Sequence, residues 1–137
     1  MTIPNPTDAP TLLTDADVLA RVSALVGVAC VDRQLWLMFV DGDGRQTPVV
    51  MPVSDVPHRP LPHLLRGLTE VLRGLRGDLA TDLGPGSVIL TLERRGPDRP
   101  TPRDREWSAA LVRVCREAEI GLRGVFLSSD AGVRRMA

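Results

Sequence analysis

Short continuous runs of apolar residues alternate along this chain with longer stretches in which apolar positions recur at every third or fourth residue. The first such stretch opens at Thr14, an N-cap residue with Asp17 three places on. It carries Val18, Val22, Leu25 and Val26 on one face, which predicts a helix over 15–26. Beyond Gly27, Val28-Ala29-Cys30-Val31 either continues that helix or begins a strand. Leu35 to Val40 is unbroken apolar sequence followed by Asp41-Gly42-Asp43-Gly44, a hairpin signal, and Thr47 to Val53 is the returning strand. Pro48 and Pro52 cannot donate to a ladder, so that strand belongs at an edge or at a bulge.

From Leu61 the period changes. Leu61, Leu64, Leu65, Leu68, Val71, Leu72, Leu75 and Leu79 predict a helix over 61–79. Gly67, Gly74 and Gly77 each weaken it by roughly 1 kcal/mol relative to alanine, so packing of the leucine face must hold it, and small residues would let it sit close to a sheet. After a turn at Asp82–Gly86, Ser87 to Leu92 reads as a strand. Thr101-Pro102-Arg103-Asp104 has the N-cap, first-turn proline and acid of a helix start. Trp107, Leu111, Val114, Cys115 and Ala118 form the buried stripe of that helix, and Gly121 closes it. Leu122 to Leu127 is a last strand, after which Asp130-Ala131-Gly132 turns into a short tail.

The resulting order, α-β-β-α-β-α-β, predicts an α/β three-layer sandwich. Its mixed sheet contains a β-hairpin and a C-terminal βαβ unit, with helices on both faces. Residues 1–13 are Pro-rich and aperiodic, and read as a frayed leader or an arm laid on the surface; 14–137 form a single α/β domain.

Composition narrows the function classes. A chain of 137 residues with 43% hydrophobic content has material for one core. Basic and acidic residues balance at 17 each, so no global field draws it to nucleic acid or an anionic membrane. The aromatics needed for base stacking are few, Trp36, Trp107, Phe39 and Phe126, and all sit on apolar elements. No stretch is apolar for long enough to span a bilayer, and the opening residues carry no secretory pattern, which points to a cytoplasmic protein. All 17 basic residues are arginine, a group that forks onto carboxylates and phosphates as an ammonium does not.

The strand-to-helix loop, where a βαβ unit often holds its chemistry, reads Glu93-Arg94-Arg95-Gly96-Pro97-Asp98-Arg99-Pro100. No His, Cys or Ser lies between Ser87 and Ser108. His58 and His63 lack the spacing that puts two imidazoles on one helical face, and Asp41 and Asp43 lack the distal Glu of a calcium loop. Cys115 lies on an apolar stripe, and Ser128-Ser129-Asp130 has no base near it in sequence.

From Leu35 to Met136 the chain resembles the RadC-like branch of the JAB/MPN domains, a family that includes zinc-dependent isopeptidases. The resemblance is carried by Leu37 to Arg45, the helix at 61–79, Ser87 to Leu90, Pro100 to Asp104 and the strand and turn Gly124–Gly132. In that family the central strand ends in His-x-His, and a Ser-x-x-Asp on the next helix supplies a further ligand and an oxyanion contact. The resemblance puts the two histidine positions on Leu92 and Arg94 and the later pair on Arg103 and Glu106. Leucine cannot ligate zinc, and a guanidinium repels it.

The leading expectation is therefore a non-catalytic module that binds a protein partner as yet unknown, with no catalytic residues, metal or cofactor. A second is an anion or nucleotide site at the Pro102 helix start, built from Arg94, Arg95, Arg99, Arg103 and Arg105. A third is a metal hydrolase with rearranged ligands drawn from Glu93, Glu106, Asp98 or His63. A homodimer through the Pro48–Pro52 edge is a further option, though prolines there tend to block pairing.

Overall fold

A computed structural model describes residues 10–137. Its elements are α1 (Asp15–Leu25), β1 (Gln34–Val40), β2 (Gln46–Val53), α2 (Pro62–Leu79), β3 (Ser87–Glu93), α3 (Pro102–Ala118), β4 (Gly121–Ser129) and β5 (Gly132–Arg135). Among the described residues they form one sheet in the order β2-β1-β3-β4-β5. Only β3 and β4, joined through α3, run parallel; the other neighbours are antiparallel.

The central strands β1, β3 and β4 are buried on both faces, which is why they read as continuous apolar runs instead of alternating. Leu35, Leu37, Phe39, Val88, Leu90 and Leu92 pack with Leu68, Leu72, Leu111 and Val114 under α2 and α3. The intervening Met38, Val40, Ile89 and Phe126 pack with Val18 and Val22 of α1. The α/β sandwich, the hairpin and the βαβ unit thus stand as the apolar pattern predicts.

The helix starts follow their sequence signals. Thr14 and Thr101 each accept from the backbone of an acid three residues on, Asp17 and Asp104, whose carboxylates bind back to the cap N–H. β2 is an edge strand, and its register with β1 shifts between Met38 and Val40, so its two prolines sit where a missing donor is tolerated.

Four details depart from the expectations. The tail after Gly132 is a strand, β5, paired with β4 from Ser129↔Gly132 to Phe126↔Arg135. Val28 to Val31 neither extends α1 nor forms a strand: Gly27 turns left-handed at φ 67°, and the segment crosses as a loop whose Ala29 N–H donates to Ser129 O. Helix α3 is stopped by Glu119 in the left-handed conformation, and Gly121 already begins β4. Residues 1–9 of the expected leader lie outside the described residues. Its end is an arm on the body: Leu12 is buried, its N–H donates to Gly44 O, and Arg123 donates to its carbonyl.

The last difference concerns α2. A Cβ built at Gly67, Gly74 or Gly77 meets nothing within 4 Å, so these glycines do not serve a close approach to the sheet. They only loosen the helix. Replacing Gly67 and Gly74 together by alanine is expected to stabilise the protein by about 1–2 kcal/mol. A raised midpoint in urea unfolding checks this; an unchanged or lowered midpoint would show that this helix face meets a neighbour.

Candidate functional site

The parallel pair β3 and β4 ends at a crevice closed by the start of α3, the place where a βαβ unit gathers chemistry. Three consecutive residues at the end of β3 point to different tasks. Leu92 is buried in the core under α2 and α3. Glu93, 3% exposed, turns to the other side and braces the loop after α1. Its Oε2 accepts from Cys30 N at 2.6 Å and Val31 N at 3.2 Å, and its Oε1 from Trp36 Nε1 at 2.8 Å.

Arg94 returns to the crevice. Its Nε donates to both Asp104 oxygens at 3.0 Å and its Nη2 to Asp104 Oδ2 at 2.7 Å. The remaining N–H groups reach Pro97 O at 2.7 Å, Arg99 O at 3.2 Å and Arg95 O at 3.4 Å. A guanidinium has five N–H groups, so the loop and Asp104 occupy them all. The two side chains are 14% and 4% exposed. Burial alone raises the Asp104 carboxyl, but hydrogen bonds from Arg94 and Thr101, together with the Arg94 charge, outweigh it and hold the group below its ordinary value.

Asp104 also closes the helix start. It accepts from Thr101 N at 2.8 Å, while its own N–H donates to Thr101 Oγ1 at 3.2 Å. Pro102 has no N–H, and Arg105 N donates to Thr101 O. The N-terminus of α3 therefore already holds its anion, the Asp104 carboxylate.

The five arginines of the anion-site expectation are placed apart. Arg94 is consumed internally. Arg95 donates to Cys30 O at 2.8 Å and lines, with Arg103, a cavity of about 230 Å³ beside Leu92, Asp104, Trp107 and His58. Arg105 lines a different groove, on the far side of α3, and Arg99 lines neither. The five arginines do not converge.

No family model matches the chain, and no curated protein or solved structure matches it.

The residues of the rearranged-ligand expectation are also placed apart. Glu93 is engaged as described, and Glu106 sits on the surface with its carboxylate 3.5 Å from Arg59. His63 and Asp98 are exposed. Among the described residues no three His, Cys, Asp or Glu side chains come together as a ligand group. The zinc implied by the JAB/MPN resemblance does not fit: an aliphatic side chain and a paired guanidinium take the strand positions, and of the two carboxylates lining the cavity Asp104 is bound to that guanidinium while Asp32 accepts from Arg95 N.

Nucleophiles are no nearer. Cys115 is buried, and its desolvation pushes the thiol up to about 11, far from a reactive thiolate. Ser128 Oγ donates to Gly27 O at 2.6 Å and Ser129 Oγ to Gly132 O at 3.3 Å, so both hydroxyls serve the chain. Trp107 Nε1 donates to the carbonyls of Pro57 and His58, which holds the 56–58 loop over the cavity. Among the described residues no helix is long and apolar enough to cross a membrane.

Asp104, absent from the sequence-derived set, is the central residue of the crevice. The signal for it was helical geometry: 104, 107, 108 and 111 share the buried face of α3, whereas 103 and 106 fall off it.

Proposed function

We propose that this protein is a non-catalytic protein-interaction module, built on a JAB/MPN-like scaffold in which the metal centre has been replaced by an Arg94–Asp104 ion pair. One observation carries the reading: all five N–H groups of Arg94 are spent on Asp104 and on carbonyls of residues 95–99. A guanidinium so held acts as a keystone. It fills the position where an enzyme of this shape would keep a cation, and it has no N–H group left to give to a substrate oxyanion.

Leu92 and the inert Cys115 support the same reading, because each turns a position suited to chemistry into core. The test is metal analysis of untagged protein, followed by assay of isopeptide-linked and linear peptide substrates with added zinc. The expected result is zinc far below one equivalent per chain and no metal-dependent hydrolysis. Stoichiometric zinc with hydrolysis that a chelator abolishes would overturn the proposal.

A further inference from the structure

Helix α3 covers part of the sheet and leaves a groove beside it. It packs over β4 and against α2, while β5 is covered from the opposite face by α1. Among the described residues the α3 side of β5 is left open, and a groove of about 900 Å³ runs between the outer face of α3 and residues 134–137. Residues 105, 109, 112, 113 and 116 recur along it at helical spacing, a stripe distinct from the buried Trp107, Leu111, Val114 and Ala118.

The groove is basic in a chain whose net charge is zero. Arg105, Arg113 and Arg116 line it from α3 and Arg134 from β5, while Ala109, Val112 and Met136 give it apolar surface. Among the described residues none of these four arginines has a carboxylate within ion-pair distance; Arg134 only donates to the Asp98 carbonyl, at 3.3 Å. Two other charged groups lining the groove are already engaged: Glu106 pairs with Arg59, and Arg135 lies 2.9 Å from Asp15. Four guanidinium groups without a carboxylate partner around one apolar strip make a local positive field.

The chemistry of the lining selects the occupant. Phe39, Phe126 and Trp107 are buried, and the Trp36 indole is tied to Glu93, so the groove offers no stacking platform for bases. Guanidinium forks suit carboxylates, and the aliphatic strip suits the side chains between them. Among the described residues β5 ends the sheet and its outer edge has no strand neighbour, so that edge can accept an extended segment.

We propose that the groove between α3 and β5 docks an extended acidic peptide of a protein partner. Its carboxylates pair with Arg105, Arg113, Arg116 and Arg134, and its apolar side chains lie on Ala109, Val112 and Met136. The proposal gives the interaction-module reading a surface and a partner chemistry. Its residues are separate from the Arg94 cavity, so each idea fails on its own measurement: zinc content and hydrolysis for one, peptide binding for the other.

The probe is a short fluorescent peptide alternating glutamate with valine, titrated by anisotropy into the full chain. Controls are the matching lysine–valine peptide, and single-stranded and duplex DNA of similar charge. The acidic peptide is expected to bind saturably with an affinity that falls as salt rises. Arg113→Glu and Arg134→Glu should each weaken it about tenfold, whereas Arg45→Glu on the hairpin turn leaves it unchanged. Amide NMR shifts in the wild-type protein should map to Ala109, Val112 and Gly132–Met136, which keeps the test independent of how the variants fold. Absence of saturable binding, equal loss in Arg45→Glu, shifts confined to another face, or tighter binding of DNA than of the peptide would overturn the proposal.

Discussion

Arg94→Ala is expected to destabilise the folded chain by about 3–5 kcal/mol, because it leaves the buried Asp104 carboxylate without its cation. Three carbonyls of the 95–99 loop lose their donor in the same step. Against a total stability on the order of 10 kcal/mol for a domain, such a loss is readily measured by urea unfolding. Arg94→Lys should recover only a fraction, since a single ammonium cannot serve a carboxylate and three separate carbonyls together. The decisive measurement is the double-mutant cycle with Asp104→Ala. The pair is coupled if the double variant is more stable than the sum of the single losses implies, by about 1 kcal/mol or more. Strict additivity would show that Arg94 does not act through Asp104, and with it the keystone reading of the crevice would fall.

The same pair sets a pH dependence. The Asp104 carboxyl titrates below its ordinary value when folded. Its contribution is therefore complete above the unfolded value, and it is lost as pH falls through the lower, folded one. Stability of the wild type should drop between about pH 5 and pH 2 more steeply than that of Asp104→Asn, which has no carboxyl to protonate there. Parallel curves for the two proteins would assign the acid sensitivity to other groups.

The frame of the molecule was readable in the sequence wherever one local signal decided an element. The central strands read as strands because both of their faces are buried, and α2 reads as a helix because its leucines keep the period of three and four. The Thr14 and Thr101 starts follow from contacts three residues apart. β5 escaped because Val133-Arg134-Arg135 has the polarity of a tail; at a sheet edge, arginines can point to solvent while the backbone pairs. The outward setting of Gly67 and Gly74 was missed, although both directly follow the charged Arg66 and Arg73.

The crevice was legible only in part. That Leu92 and Arg94 could not bind zinc follows from their chemistry alone, but the partner of Arg94 lies across a loop of irregular backbone that no periodicity describes. The loop arginines are close in sequence and read as one patch. In three dimensions the start of α3 divides them, with Arg95 and Arg103 on the cavity and Arg105 in the groove. Glu93 was the least legible residue of all, because its three donors lie near 30 and 36, across the sheet and beyond any local pattern.

Glu93→Ala is expected to cost about 2–4 kcal/mol, since it removes the acceptor of two backbone N–H groups and one indole N–H. The lower end applies if water reaches Cys30 and Val31, both of which are exposed, and the upper end if the Trp36 indole stays dry. Glu93→Gln tests the geometry: an amide keeps one acceptor oxygen but aims an N–H at one of the existing donors, so the indole and the backbone pair cannot both be served. It should fall between wild type and Glu93→Ala. Trp36→Phe deletes only the indole bond and should lose about 1 kcal/mol. A separate readout distinguishes this brace from general packing. Exchange of the Cys30 and Val31 amides with deuterium should quicken strongly in Glu93→Ala and remain slow in Trp36→Phe, because their acceptor oxygen is the one that the indole does not use. Unchanged exchange in Glu93→Ala would mean that the loop after α1 is held by other contacts, chiefly the Ala29 bond to Ser129, and that the buried carboxylate has a role its hydrogen bonds do not describe.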